Sequence, residues 1–353
     1  MNIHWEISMR RNESSTRSAF QSVNDHRALL EWRCTIKLLF VVLAGLFVLP
    51  VIAQTPYPSK PIRAVVPLPP GGGVDNLTRI LADRIAGPLG QAVLIENRPG
   101  ANGMIGAEAV ARAAPDGYTL MVISNAFAVA PVVMAKVPVD VFKDFDPVIK
   151  AASNPILLVA HPSLKASTVQ EFITAARNTP GALSYSSIGT GSPHHIAGEL
   201  LKRQAKIEMV HIGYKGASQA VADVLGGQVK AMFMGLGAVA QHMKSGKLIA
   251  IAVTDKQRTP LMPSVPTLAE GGVSGADVEG WFGVFVPAGT PQNMVLRLNR
   301  EINAALKLPE VRERLSVGGF DAIGGTPEDL AVAMRSDFSR YGKIIAEAGI
   351  KLE

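Results

Sequence analysis

Pro67-Leu68-Pro69-Pro70-Gly71-Gly72-Gly73-Val74-Asp75 follows a short apolar run at 62–66 and precedes a segment with helical spacing. A second stretch, Gly189-Thr190-Gly191-Ser192-Pro193-His194-His195, has the same setting after the apolar run at 183–188. Each reads as a strand, a glycine loop and a helix N-terminus. The first N–H groups of a helix have no intrahelical partner, and the aligned peptide dipoles leave a partial positive charge there. Glycine admits positive φ and lets an anion approach the backbone. Two such loops in two halves of one chain predict jaws that close on an anionic ligand.

Outward from these loops, strand and helix alternate. Strand patterns fall at 62–66, 93–96 and 118–123, the last ending in Ser124-Asn125. A helix after Asp75 carries Leu77, Ile80, Leu81 and Ile85 on one face and is expected to stop at Gly87-Pro88. A second unit opens with the apolar strand at 155–160 and continues through a helix at 169–177, a strand at 183–188 and a helix at 196–204. Further strands at 208–212, 229–234 and 248–254 flank a helix at 218–225. The strand at 281–286 leads back to helices in the remainder. Such alternation predicts an α/β protein of two lobes with mostly parallel sheets flanked by helices and a cleft between the lobes. Lobe 1 is read as 54–153 plus 278–353, and lobe 2 as 154–277.

The first 53 residues read as an export signal. A 12-residue apolar core at 38–49 follows Arg27, Arg33 and Lys37, and Val51-Ile52-Ala53 places small residues before Gln54. A membrane span needs about 20 apolar residues, so cleavage after Ala53, release into the periplasm and no lasting membrane anchor are expected. The only cysteine, Cys34, precedes this core and would be lost with it. Disulfides, thiolate metal sites and thiol nucleophiles are then excluded from the exported chain. The whole chain of 353 residues has a formal charge of +6, spread without a basic block. That argues against a nucleic-acid partner and mildly favours anionic solutes.

In sequence order, the motifs resemble one family. Tyr57-Pro58-Ser59-Lys60-Pro61-Ile62, the first glycine loop, Glu96-Asn97-Arg98-Pro99-Gly100-Ala101-Asn102-Gly103 and Pro115-Asp116-Gly117-Tyr118-Thr119-Leu120 come first. The second glycine loop, Tyr214-Lys215-Gly216, Pro263-Ser264-Val265-Pro266-Thr267 and 281–291 complete the set. Together they are similar to the periplasmic solute receptors of tripartite tricarboxylate transporters, the Bug family. Leu68, where phenylalanine is usual, and Gly213, where proline is common, depart from its pattern. The resemblance implies a periplasmic-binding-protein fold of type II and a monomer that holds a carboxylated small molecule between its lobes. It also implies contacts made by backbone N–H groups, hydroxyls and water, without a cofactor or metal. The partners implied are transporter membrane subunits; a sensor protein docking on the closed form is the alternative.

The ligand-binding candidates are Pro70, Gly71, Gly72, Gly73, Asp75, Ser124, Asn125, Thr190, Gly191, Ser192, His195, Gly216 and Ala217. Asp75 is expected to cap its helix by accepting from the first N–H groups, and would otherwise receive a ligand amine. For the third loop, the backbone of Gly216 and Ala217 is preferred to the Lys215 ammonium. Phe127 reads either as core or as a surface for an apolar ligand body. A phosphate loop is excluded because no Gly-Lys-Ser/Thr follows the first glycines. A hydrolase using Ser192 and His195 is the remaining alternative, although Ser192 lacks the Gly-x-Ser-x-Gly elbow. A metal site at His194-His195 lacks a third ligand in the sequence.

Overall fold

The computed structural model describes residues 57–347; the expected signal segment and its cleavage site lie outside the described residues. The described residues lie in one compact unit. Within it run β1 (Ile62–Val66), α1 (Gly73–Leu89), β2 (Val93–Asn97), α2 (Met104–Ala111), β3 (Thr119–Ser124), α3 (Ala126–Val133) and β4 (Phe145–Ser153). Next come β5 (Ile156–Ala160), α4 (Val169–Asn178), β6 (Ser184–Ser187), α5 (Pro193–Ala205), β7 (Val210–Gly213) and α6 (Ala217–Leu225). The chain continues through β8 (Ala231–Gly235), α7 (Leu236–Lys244), β9 (Ile249–Val253) and β10 (Trp281–Pro287). It ends with α8 (Gln292–Lys307), α9 (Pro309–Val317), β11 (Asp321–Ala322) and α10 (Pro327–Glu347).

Two sheets result. The first has six strands in the order β11-β4-β10-β3-β1-β2, and the second has five in the order β7-β6-β8-β5-β9. This is the two-lobed α/β arrangement expected, but the sheets are mixed rather than mostly parallel. β1 pairs parallel with β2 and β3, whereas β10 runs antiparallel to both β3 and β4. In the second sheet β6 pairs parallel with β7 and β8, and β5 runs antiparallel to β8 and β9. The reason is the crossing. β4 passes into β5 through Asn154-Pro155 alone, so the chain enters the second sheet without a helix to reverse it.

The crossing segments are pinned to each other. Asn154 N–H donates to the Gly280 carbonyl at 2.7 Å, and Val278 N–H donates to the Thr254 carbonyl at 2.8 Å. The Thr254 hydroxyl returns a bond to the Val278 carbonyl at 2.6 Å. Each sheet has its own core. Leu77, Leu81 and Ile85 of α1 pack with Val284, Leu298 and Ile302 on the first. Phe172, Tyr185, Leu200 and Phe233 pack on the second. α10 joins them, because its Leu330 and Met334 belong beneath the first sheet while Tyr341 and Ile345 enter the second sheet's core.

Three boundaries moved from expectation. α1 continues through Pro88 to Leu89 and ends on Gly90 at φ 69. A proline in the last turn forfeits one bond only, and the left-handed glycine cap follows it. β4 carries no simple strand signal because Pro147 interrupts it. That proline faces Phe285 beside a register shift, where a ladder donor is dispensable. α3 is short, apolar all round and therefore without helical periodicity.

Candidate functional site

A cavity of about 790 Å³ opens between the two sheets. Helices α1, α3, α5, α6 and α7 all begin at its wall, represented there by Gly73, Ala126, Pro193, Ala217 and Gly237. Each N-terminus carries about half an elementary positive charge. Among the described residues no Asp or Glu lines the cavity, and Lys215 is the one lining side chain with a formal charge. The site is therefore positive mainly through backbone dipoles.

Gly71, Gly72 and Gly73 all line it. Gly71 has φ 81, a conformation that the turn into α1 requires and that other residues adopt at a cost. Gly72 is the N-cap and has no side chain with which to cover the first N–H groups. Asp75 behaves differently from expectation. Its carboxylate accepts from the Gly71 N–H at 2.9 Å, reaching back out of the helix instead of capping it. Arg79 binds both carboxylate oxygens, at 2.9 and 3.0 Å, and Asn97 donates at 3.0 Å. Burial works to raise the Asp75 pKa, but the bonds from Arg79, Gly71 and Asn97 outweigh it and hold it below its ordinary value. Asp75 is buried and absent from the cavity wall, so it shapes the loop and is not free to meet a ligand. Pro70 also misses the wall, because it is exposed on the outer side of the turn.

On the opposite wall, Thr190, Gly191 and Ser192 line the cavity. Ser192 caps α5. Its hydroxyl donates to the Gly189 carbonyl at 2.7 Å and accepts from the His195 N–H at 3.3 Å. His195 does not reach the cavity. Its Nδ1 accepts the Gly191 N–H at 3.1 Å, and its ring stacks on His211. Ser192 and the His195 ring are thus engaged separately and do not form a nucleophile–base pair. Burial, with smaller contributions from His211 and Lys202, lowers the His195 pKa to about 3. His194, not His195, lines the cavity. It is 5% exposed, burial lowers its pKa to about 4, and its Nδ1 has no partner among the described residues.

Ser124 and Asn125 line the cavity at the end of β3. The Asn125 amide is already used, donating to the Glu279 carbonyl at 2.9 Å and to Asp337 Oδ2 at 3.1 Å. In the third loop Ala217 lines the cavity while Gly216 does not, and the exposed Lys215 does. Gly216, preferred from the sequence, is the N-cap of α6 in extended backbone at φ −179 and is not part of the lining. Phe127 is a core residue, 1% exposed, that also lines the cavity.

Several lining residues escaped the sequence reading. Phe282 and Phe320 meet edge to face with ring centroids 5.4 Å apart. Asn154, Met234 and Trp281 complete the same region. Phe282 sits inside a quoted motif but reads there as strand, and nothing local marks Phe320, which is brought in by the turn after α9. Among the described residues no group of three His, Cys, Asp or Glu is placed to hold a metal.

A cleft between two mixed sheets, ringed by helix N-termini and lined by glycine loops, defines a solute-binding protein. The tripartite tricarboxylate transporter receptor family, TctC, matches residues 77–350, and the chain belongs to that family. It is 36% identical over 317 residues to protein BugT of Bordetella pertussis, covering 89% of this chain and 97% of BugT. Rpa4515 of R. palustris, solved with adipate, shares 33% identity and a TM-score of 0.77 over 84% of this chain and all of that one. MatC of Rhodopseudomonas palustris, solved with malate, shares 31% identity and a TM-score of 0.72 over 82% of this chain and all of that one.

Proposed function

We propose that this chain is a periplasmic receptor that binds a small carboxylate between its lobes and delivers it to a tripartite tricarboxylate-type membrane transporter. The observation that carries the reading is the convergence of five helix N-termini on a cavity without acidic side chains. The adipate and malate of the related structures agree with it in ligand chemistry. Lobe 1 comprises 54–153 and 278–353, lobe 2 comprises 154–277, and the crossing segments between them act as the hinge. Contacts come from Gly71, Gly72 and Gly73 on one side and Thr190, Gly191 and Ser192 on the other, with Ser124 and Ala217 between. The protein binds and releases its ligand unchanged and works as a monomer without a cofactor. No helix among the described residues is long and apolar enough to cross a membrane.

Calorimetric titration of the exported protein with carboxylates tests the reading. Saturable, stoichiometric binding of at least one carboxylate, with the ligand recovered unchanged, is expected. Failure of every carboxylate, or turnover of a bound ester, overturns it.

A further inference from the structure

We infer that the ligand is a carboxylate without an ammonium group that lays an apolar face against Phe282 and Phe320. The inference rests on the receptor reading above and narrows it from carboxylates in general to one chemical class.

The missing ammonium follows from the cavity's charge. An ammonium group taken from water needs an acceptor, preferably an anionic one, because an unpaired buried charge is costly. Among the described residues the wall offers no carboxylate. Asp75 stands at the glycine loop, but Arg79, Asn97 and the Gly71 N–H already occupy both of its oxygens. The five helix N-termini would each repel a cation, and Lys215 adds a full positive charge at the rim. The helix N-termini and Lys215, which attract the carboxylate of an amino acid, repel its amine.

The apolar face follows from the wall between the loops. Phe282 and Phe320 both line the cavity, and a Cβ added to Gly73 would meet the tip of each ring at 3.3 Å. The two rings therefore lie directly against the first residue of α1, beside the N–H groups that face an anion. Met134 and Met234 extend the apolar surface with adaptable side chains. None of these groups accepts or donates a strong hydrogen bond. A ligand hydroxyl against these four side chains loses water and gains no partner from them, whereas methylene or ring carbon gains burial. The phenyl edges also suit the face of an aromatic ring.

Matched ligand pairs test both parts by calorimetry on the exported protein. Glutarate and glutamate differ by the ammonium alone, and glutarate is expected to bind more tightly by about tenfold or more. Succinate and malate differ by one hydroxyl, and succinate is expected to be the tighter; terephthalate is expected to match or exceed adipate. Phe320→Leu keeps an apolar wall and should hold the succinate-to-malate ratio near its original value. Phe320→Asn should lower that ratio by several-fold, read within one variant so that a loss of folded protein cancels. Equal or tighter binding of glutamate or malate in the parent protein overturns the inference while leaving the receptor reading intact. Absence of binding by all six acids also overturns the inference, whereas the receptor reading falls only if every carboxylate fails.

Discussion

His195 and His211 lie face to face, with ring centroids 3.6 Å apart and planes 11° from parallel. Neither ring reaches the cavity, yet the pair bears on it. His195 Nδ1 takes the Gly191 N–H, and His211 Nε2 meets the Ser187 hydroxyl at 2.7 Å, just before the loop begins. The stack thus clamps both ends of the second glycine loop from beneath. Its price is that both imidazoles must stay neutral, since two protonated rings at this separation would repel strongly.

His195→Ala is expected to weaken ligand binding several-fold by freeing the Gly191 N–H and loosening the loop. It should also change stability against pH. The His195 pKa in the folded chain, about 3, lies below the ordinary 6.5. The unfolded chain therefore binds a proton that the folded chain refuses, and the stability present above pH 6.5 is lost as pH falls toward 3. His194 and His211, both lowered to about 4 chiefly by burial, act in the same direction. Removing His195 should reduce the slope by up to about 1.4 kcal/mol per pH unit in the acid part of this window, and by about half of that at pH 6.5. Denaturant titrations between pH 4.5 and 6.5 measure it; an unchanged slope would mean that His195 takes up its proton alike in the folded and the unfolded chain.

Asp255 should act in the opposite direction. Burial first and Glu279 second push its pKa up to about 7, while Lys150 partly opposes them. The folded chain keeps a proton that the unfolded chain releases near pH 4, so this group's stability is lost as pH rises through 7. Asp255→Asn stays neutral throughout. It is expected to match the parent protein at pH 4 and to exceed it by roughly 1–3 kcal/mol at pH 8. Thermal melts across that range decide the point, and a variant less stable than the parent at pH 8 refutes it.

Much of this site was legible because it is local. The strand, glycine loop and helix order places Gly71, Gly72, Gly73, Thr190, Gly191 and Ser192 without knowledge of the tertiary fold. Asp75 was misjudged because its position in the first turn is visible, while Arg79 and Asn97, which claim its oxygens, declare themselves only once α1 and β2 lie side by side. His194 and His195 exchanged roles for a related reason. Adjacent helical residues point about 100° apart, and the sequence does not say which direction faces the cleft. Phe320 follows the turn after α9 and Met234 lies in β8, and that both line one cavity is a product of topology.

Charge capture by backbone can be separated from capture by lysine. Gly72 has φ −77, close to the value proline imposes, so Gly72→Pro chiefly removes one N–H from the cavity wall. It is expected to weaken carboxylate binding more than Lys215→Ala, because the exposed lysine is screened by solvent. Ser192→Ala should cost about 1 kcal/mol of stability through the lost helix cap. Calorimetry on the three folded variants gives the order, and a loss of all affinity in Lys215→Ala alone would replace the backbone account with an ion pair.

Closure has its own contact at the cavity wall, which Gly237 and Gly318 both line. Gly237, in the first turn of α7 beside the second sheet, lies against Gly318 and Gly319, which follow α9 on the first. A Cβ on Gly237 would sit 2.1 Å from the Gly318 carbonyl oxygen, and one on Gly319 would sit 2.2 Å from the Gly237 nitrogen. Gly237 is not at positive φ, so alanine there brings no backbone strain of its own. Gly237→Ala should therefore fold normally, yet its methyl group should hold the two sides apart where they now touch. With the ligand held from both sides as proposed, affinity should fall by about tenfold or more while the melting temperature without ligand stays within a few degrees of the parent's. Small-angle scattering should show that saturating ligand contracts the parent protein and contracts the variant less. Undiminished affinity with full contraction would show that α7 yields at this contact, and that closure does not depend on two backbones meeting there.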